Sequence, residues 1–119
     1  MLVLEPQHVH MHQHAGDKAE ALQCLINILV EDQLVTAEYL SGLEAREKQS
    51  ATYLGQGIAI PHGTPQSREF ILNTGVRLAH FPDGVVWDGE NVIYLAVVIA
   101  AKSDEHLQVL QILTRALSK

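Results

Sequence analysis

The sequence predicts an α/β domain in which a mixed β-sheet is sandwiched between α-helices. Three features predict it: two helical segments in the first half of the chain, a strand-rich stretch after them, and a further helical pattern at the C-terminal end. Such elements bury their apolar faces by stacking in layers. With 119 residues, 47% of them hydrophobic and 18% charged, the chain is expected to form one packed domain over residues 1–119.

Capping signals mark the two helices in the first half of the chain. Asp17 followed by Glu20 resembles a capping box and precedes a 3.6-residue apolar pattern, which predicts a helix from Lys18 to near Asp32. Thr36 is predicted to cap a second helix that ends near Gln49. The residues expected to face inward from this second helix are Tyr39, Leu40 and Leu43.

Short strands and loops are predicted after the second helix. Leu54 to Gly57 should break regular structure, residues 58–60 should form a short strand, and the two prolines and the glycine of residues 61–65 require a loop. Residues 74–81 alternate in hydrophobicity, and Pro82-Asp83-Gly84 is predicted as a turn that closes a hairpin with residues 85–87.

The last third of the chain predicts one strand and one helix. Val92 to Ala101 is uniformly apolar, which is typical of a central strand covered on both faces. Ser103 is predicted to cap a third helix, and its apolar face is expected to contain Leu107, Leu110, Leu113 and Leu117. That pattern is still helical at Lys119, so we expect the natural gene product to continue.

Composition argues against several classes of protein. The net charge is -6, and such a surface repels phosphate backbones and anionic lipids, so nucleic acid is not an expected partner. The longest apolar run has ten residues, against about 20 for a membrane-spanning helix, so no membrane insertion is expected and the protein should be cytoplasmic. The single cysteine, Cys24, is predicted to be a core residue and not a reactive one.

His62 is the first candidate for chemistry. It lies between Pro61 and Gly63 at the end of a predicted strand, which restricts its position. An imidazole with a pKa of about 6.5 is largely neutral at pH 7, so it can attack phosphorus or transfer a proton. Without further context, His62 could equally be a turn histidine whose ring only hydrogen-bonds to the backbone.

Arg46 and His106 are the other candidates. His106 lies about three residues into the predicted third helix, where a neutral ring could donate a hydrogen bond to a phosphate. The Arg46 guanidinium suits phosphoryl oxygens. Taken alone, each is more often a solvated helix residue than a phosphate ligand. Gly55-Gln56-Gly57 does not complete a dinucleotide-binding fingerprint, and the chain has no P-loop, zinc-protease helix or serine nucleophile elbow.

Five further histidines have less specific interpretations. His8, His10, His12 and His14 would share one side of an extended backbone and could chelate a transition metal there. Adventitious affinity is the preferred interpretation, and no physiological metal site is predicted. His80 is expected to be a half-buried structural residue.

Residues 53–64, Tyr-Leu-Gly-Gln-Gly-Ile-Ala-Ile-Pro-His-Gly-Thr, form a highly specific block. It resembles the signature of the IIA domains of the mannitol/fructose class of the bacterial phosphoenolpyruvate-dependent sugar phosphotransferase system. The similarity covers essentially the whole chain and is nearest to the fructose-specific IIA domain of diphosphoryl transfer proteins. Further matching segments are Ala45-Arg46-Glu47, Thr74-Gly75-Val76, Phe81 to Val85, and Asp104 to Leu107.

The resemblance implies a phosphoryl relay in the bacterial cytoplasm. His62 would accept a phosphoryl group from phosphorylated HPr, free or fused, on Nε2 and pass it to a cysteine of a IIB domain for fructose or mannitol uptake. Arg46 and His106 match the family's phosphoryl-binding positions, and loop amides near Gly63 and Thr64 would donate hydrogen bonds. No cofactor or metal is implied. Family members also carry more C-terminal helical structure beyond the position of Lys119.

Two alternatives stay open on the residues alone. The chain could be a regulatory module of the same fold, in which phosphorylation of His62 controls partner binding and not transport. Two histidines and an arginine could also cleave a phosphodiester by acid-base catalysis, although the acidic net charge argues against an RNA substrate.

Overall fold

The computed structural model describes residues 6–102 and Arg115 of the chain. Two helices, five strands and two short 3-10 helices make up its regular structure. In chain order these are a 3-10 helix at Pro6–His8, β1 at Val9–His10, α1 at Lys18–Glu31, α2 at Tyr39–Gln49, β2 at Tyr53–Gly55, β3 at Ile58–Ala59, a 3-10 helix at Pro65–Phe70, β4 at Gly75–Asp88 and β5 at Asn91–Ala100.

The five strands form one mixed sheet with the order β1-β4-β5-β3-β2. The β4/β5 and β2/β3 pairs are antiparallel, whereas β1 runs parallel to β4 and β3 runs parallel to β5. This confirms the predicted mixed sheet. It also confirms the central position of the uniformly apolar strand, because β5 lies between β4 and β3 and residues 96–100 are buried.

The first helix is confirmed together with its cap. Asp17 is the N-cap of α1 and its Oδ1 accepts a hydrogen bond from the Glu20 N–H at 2.9 Å. The Glu20 carboxylate in turn accepts the Gly16 N–H at 3.3 Å, so both side chains satisfy amides at the start of the helix. The buried face of α1 consists of Ala21, Leu22, Leu25, Ile26, Ile28 and Leu29.

The predicted start of the second helix is wrong. Thr36 does not cap it: α2 begins at Tyr39, with Glu38 as N-cap, and the Thr36 hydroxyl is buried without a hydrogen-bond partner. Residues 36–38 form a tighter turn, in which the Thr36 carbonyl accepts the Tyr39 N–H at 3.1 Å. The end of α2 at Gln49 and the inward position of Leu43 agree with the prediction.

The predicted hairpin turn at Pro82-Asp83-Gly84 is also wrong. β4 continues through these residues to Asp88, and the hairpin closes later, between β4 and β5. The ladder is interrupted between the pairs His80↔Leu95 and Val85↔Ile93, so residues 81–84 of β4 oppose a single residue of β5. Because β5 pairs with β4 on both sides of this bulge, the turn-forming residues bend the strand and do not reverse it.

The stretch from Leu54 to Gly57 is more regular than predicted. Tyr53–Gly55 forms β2, which pairs with β3 across a turn whose residues Gly55, Gln56 and Gly57 all have positive φ. The loop predicted for residues 61–65 is followed by an unpredicted 3-10 helix over Pro65–Phe70. The strand predicted at residues 58–60 is confirmed over Ile58–Ala59.

The core lies on both faces of the sheet. One face packs against α1 and α2 through a large cluster that includes Leu25, Leu43 and Phe81. Cys24 is half-buried at the margin of that cluster, and burial raises the pKa of its thiol. The opposite face carries a second cluster, formed by Ile60, Val76, Val97, Ile99 and Ala101.

The third helix predicted from Ser103, with its four leucines, lies outside the described residues. Within the part of the chain that the structure describes, no helix is long and apolar enough to span a bilayer.

Candidate functional site

His62 lies where the parallel β3/β5 pairing ends. The Ile99 N–H of β5 donates to the Pro61 carbonyl at 2.9 Å, and His62 forms an isolated parallel bridge with Ile99. Pro61 is buried and His62 is partly exposed. The histidine is therefore held at a strand end, as the sequence predicts, with its backbone attached to the central strand of the sheet.

A backbone carbonyl fixes the tautomer of the His62 ring. Its Nδ1 lies 3.0 Å from the Ile60 carbonyl oxygen. A carbonyl oxygen can only accept a hydrogen bond, so Nδ1 carries the proton. In the neutral ring, Nε2 then bears the lone pair, as a nucleophile or a general base requires.

The loop after His62 is built from hydrogen bonds to buried side chains. The Gly63 N–H donates to the Tyr39 hydroxyl at 2.9 Å. Thr64 is the N-cap of the following 3-10 helix: its Oγ1 accepts the Ser67 N–H at 3.3 Å, and the Ser67 hydroxyl donates to the Thr64 carbonyl at 2.7 Å. Thr64 and Ser67 are both buried, so the loop next to His62 has little freedom to move.

Helix α2 approaches this loop closely through glycine. A Cβ on Gly42 would overlap the Ser67 side chain and come within 3.7 Å of the Gly63 Cα. A Cβ on Gly63 would overlap the Ser67 hydroxyl and lie 2.6 Å from Tyr39 Cε1. Neither position has room for a Cβ atom, so both require glycine.

Arg46 lies on the face of α2 that packs against the loop. It follows Gly42 by four residues, which places both residues on the same face of the helix. Its Nη1 donates to the Ser50 carbonyl at 2.6 Å and its side chain is partly exposed. Two residues beyond Ser50, the Thr52 carbonyl accepts the Ile60 N–H at 2.9 Å. Arg46 and Ile60, two residues before His62, thus both donate hydrogen bonds to the segment that follows α2.

His106 lies outside the described residues, so the third member of the predicted site has no position here. The N-terminal histidines do not share one side of an extended chain: His12 has a φ of 59°, and His14 Nδ1 contacts the Asp83 carboxylate at 3.0 Å. Between residues 6 and 102, no three His, Cys, Asp or Glu side chains form a group suited to a metal ion. His80 is half-buried, as expected.

Tyr39 and Ser67 hold the loop beside His62 but are not among the site residues predicted from the sequence. Tyr39 is predicted to face the core, which is correct, because it is 2% exposed. The spacing of apolar residues in the second helix predicts that Tyr39 is buried, but it does not indicate that its hydroxyl binds the loop 24 residues later. Ser67 follows Thr64 by three residues, a spacing that would have indicated a capped turn.

Comparison with known proteins identifies the family. The family model described as "Phosphoenolpyruvate-dependent sugar phosphotransferase system, EIIA 2" matches residues 2–119. The chain belongs to this family, which confirms the resemblance found in the sequence.

Three relatives illustrate the similarity. The multiphosphoryl transfer protein of Vibrio cholerae is 49% identical over 118 residues, which cover 99% of this chain and 30% of that protein. The mannitol-specific EIICBA component of the same organism is 40% identical over 116 residues, covering 96% of this chain and 18% of that protein. The structure of the complex of enzyme IIAMTL and phosphorylated enzyme IIBMTL from Escherichia coli matches with a TM-score of 0.91 and 35% identity, covering 100% of this chain and 84% of that one.

The chain thus spans about a third or less of the length of the two sequence relatives, and most of the matched solved chain. The TM-score of 0.91 at 35% identity shows that the α/β fold described above is the fold of this solved IIA chain.

Proposed function

We propose that this domain is a phosphocarrier in which His62 accepts a phosphoryl group from phosphorylated HPr and passes it to a IIB domain. The Nε2 lone pair forms the new N–P bond while the bond from phosphorus to the donor breaks. In the second step a cysteine sulfur of IIB attacks phosphorus, and Nε2 is the leaving group. The phosphoryl group is later used to phosphorylate the incoming sugar.

The observation that carries this proposal is the hydrogen bond from His62 Nδ1 to the Ile60 carbonyl. It places the proton of the neutral ring on Nδ1, so in that form Nε2 carries the lone pair that attacks phosphorus. The carbonyl also stabilises the positive charge that the ring acquires when Nε2 binds phosphorus, because it accepts the Nδ1 proton throughout.

Arg46, His106 and the loop backbone are the proposed phosphoryl-binding groups. Transfer of a phosphoryl group depends mainly on alignment and on stabilising the charge of its equatorial oxygens. Arg46 would supply a guanidinium from α2, and His106 a ring N–H. Two loop amides are expected to contribute, but the Gly63 N–H already donates to the Tyr39 hydroxyl. We therefore assign the hydrogen bond to the phosphoryl oxygen to the Thr64 amide. Gly63 is needed because the site has no room for a larger residue.

Relatives suggest the partners and the sugar. One relative is named a multiphosphoryl transfer protein, another a mannitol-specific EIICBA component, and the solved neighbour is a complex with a phosphorylated IIB protein. We therefore propose HPr, free or fused, as donor and a fructose- or mannitol-type IIB as acceptor, in the bacterial cytoplasm. The domain itself needs no metal or cofactor for these two steps.

The test is reconstitution with phosphoenolpyruvate, Enzyme I and HPr, followed by intact-mass analysis. The wild-type chain should gain one phosphoryl group that is lost in acid, because phosphohistidine is acid-labile. The His62→Gln variant should gain none. His80→Gln is the matched control, since His80 is also a partly exposed histidine, and it should be phosphorylated like the wild type.

Phosphate retained in His62→Gln would refute the assignment. Adding purified fructose-type or mannitol-type IIB to the phosphorylated chain then tests the second step. The IIB protein that takes the phosphoryl group from the chain identifies the sugar class. Stable phosphorylation with no transfer to either IIB would instead favour the regulatory module.

A further inference from the structure

We propose that Tyr39 is a positioning residue for phosphoryl transfer: its hydroxyl and ring hold the backbone after His62 so that Nε2 faces the incoming phosphorus. This inference rests on the proposed function of His62. It adds to that function a residue outside the predicted set of His62, Arg46, His106, Gly63 and Thr64.

The Tyr39 hydroxyl lies between two backbone groups of the β-ladder beside His62. The Ile99 N–H donates to the Pro61 carbonyl, and in a continuous parallel ladder the next bond would run from the Gly63 N–H to the Ile99 carbonyl. The hydroxyl bridges these two groups, accepting from the Gly63 N–H at 2.9 Å and donating to the Ile99 carbonyl at 3.0 Å. His62 is therefore held on both sides, at Pro61 by the sheet and at Gly63 by the tyrosine.

Because the groups involved are buried, loss of the two hydrogen bonds of the Tyr39 hydroxyl is destabilising. Tyr39 is 2% exposed and Ile99 is fully buried. Burial raises the pKa of Tyr39 to about 12, so the hydroxyl stays protonated and can donate to Ile99 at any physiological pH. Removing it would leave a partly buried amide and a buried carbonyl without their present partner, so the backbone is expected to shift until the two groups are paired again.

The tyrosine also connects the loop with the helix that carries Arg46. Tyr39, Gly42 and Arg46 follow one another at intervals of three and four residues, so they share one face of α2. The ring of Tyr39 fills the space where a Gly63 side chain would lie, and Gly42 packs against Ser67. A shift of the loop after loss of the Tyr39 contacts would therefore change the position of His62 relative to Arg46.

The expected effect is on the transfer step and not on the binding of partners. Tyr39 is buried, so it does not contact HPr or IIB directly. A misplacement of a reacting group by about 1 Å costs on the order of 100-fold in rate. We therefore expect Tyr39→Phe to lower the rate constant of phosphoryl transfer from phosphorylated HPr by roughly 10- to 100-fold while KM changes little.

The experiment compares Tyr39→Phe with Tyr53→Phe. Tyr53 is a matched control, because its hydroxyl also accepts a glycine N–H, that of Gly57 at 3.4 Å, but at the far end of β3. Single-turnover phosphorylation gives the rate and KM of each variant. NMR of the ¹⁵N-labelled imidazole gives the populations of the two His62 tautomers, which a loss of stability alone would not change in the folded protein.

The inference predicts slower transfer and a mixed tautomer population in Tyr39→Phe, with Tyr53→Phe unchanged in both. A folded Tyr39→Phe whose transfer rate lies within twofold of the wild type would overturn it. So would an equal loss of rate in both variants. If the wild-type chain is not phosphorylated at all, the proposed function is wrong. If the wild-type chain is phosphorylated and Tyr39→Phe reacts at the same rate, only the proposed role of Tyr39 is wrong.

A fluorinated tyrosine at position 39 keeps the test decisive if Tyr39→Phe does not fold. Fluorine lowers the pKa of the phenol with almost no change of size, and the ionised oxygen can no longer donate to the Ile99 carbonyl. The transfer rate of this variant should fall at alkaline pH at which the wild type is still active. A pH profile that overlays the wild-type profile, in a variant whose phenol is seen to ionise, would contradict the proposal.

Discussion

Glu47 and Lys18 form an ion pair between the two helices, with 2.7 Å between Oε1 and Nζ. The Glu47 side chain is 5% exposed, and it also accepts hydrogen bonds from the N–H and the hydroxyl of Thr52. The Lys18 ammonium lies 5.0 Å from the ring centroid of Trp87. One carboxylate thus joins α1, α2 and the segment before β2, directly beside Arg46.

Replacing that carboxylate should weaken the fold. We expect Glu47→Gln to lower the free energy of unfolding by about 1–3 kcal/mol, because a buried partner of several polar groups is lost. Lys18→Met should cost less, since the Lys18 side chain is 26% exposed. Urea unfolding of the two single variants and the double variant measures the coupling. Strictly additive losses would show that the ion pair itself contributes nothing.

Adding one methyl group at Gly63 should disturb both stability and phosphorylation. Its Cβ would lie 2.6 Å from Tyr39 Cε1 and overlap the Ser67 hydroxyl, and overpacking of this kind costs about 1–3 kcal/mol. Thermal unfolding and the phosphorylation assay check Gly63→Ala. The double variant Gly63→Ala/Ser67→Ala should recover part of the loss, because one of the two clashes is removed. If the double variant is no more stable than Gly63→Ala, the contact with the Tyr39 ring alone limits the space at position 63.

The stability of the protein should depend on Tyr39 at alkaline pH. Burial raises the pKa of this residue from 10 to about 12, so the folded state holds the proton more tightly than the unfolded chain. Its contribution is complete below pH 10 and is lost as the pH rises through about 12. The loss amounts to at most about 3 kcal/mol. Urea unfolding on either side of pH 10 should show a smaller decline for Tyr39→Phe than for the wild type.

Cys24 should react slowly with thiol reagents in the native protein. Burial raises the pKa of the thiol, and its Sγ donates to Gln13 Oε1 at 3.3 Å. Both effects reduce the thiolate, which is the reactive form. We expect modification by an aromatic disulfide reagent at neutral pH to be at least roughly tenfold slower than in urea. Equal rates in buffer and in urea would show that the cysteine is exposed.

Local signals in the sequence were sufficient for several elements of the fold. The bounds of α1 follow from the Asp17 cap and the apolar period, and both are set by residues a few positions apart. The central position of β5 follows from its uniform hydrophobicity. The strand-end position of His62 follows from the prolines and glycine around it. In each case the determining interaction is local or depends only on burial.

The elements that were predicted wrongly depend on distant partners. Pro82-Asp83-Gly84 is a good local turn, yet β5 pairs with β4 before and after it and keeps the strand continuous. Thr36 is a good cap by type, but the helix begins three residues later. The contact of Tyr39 with Gly63 joins residues 24 positions apart, and no residue type or spacing in the sequence indicates it.

The bulge in β4 also bears on self-association. Within the described residues, β1 pairs with β4 at Leu78 and Ala79, and the backbone pairing along this edge ends with the bond from the Gln13 N–H to the His80 carbonyl at 2.9 Å. Open strand edges invite pairing with a second chain. Pro82 lacks an N–H, Asp83 adds an exposed charge, and the bulge bends the backbone between them and Val85. The same residues that mimic a turn in the sequence therefore make this edge a poor template for aggregation.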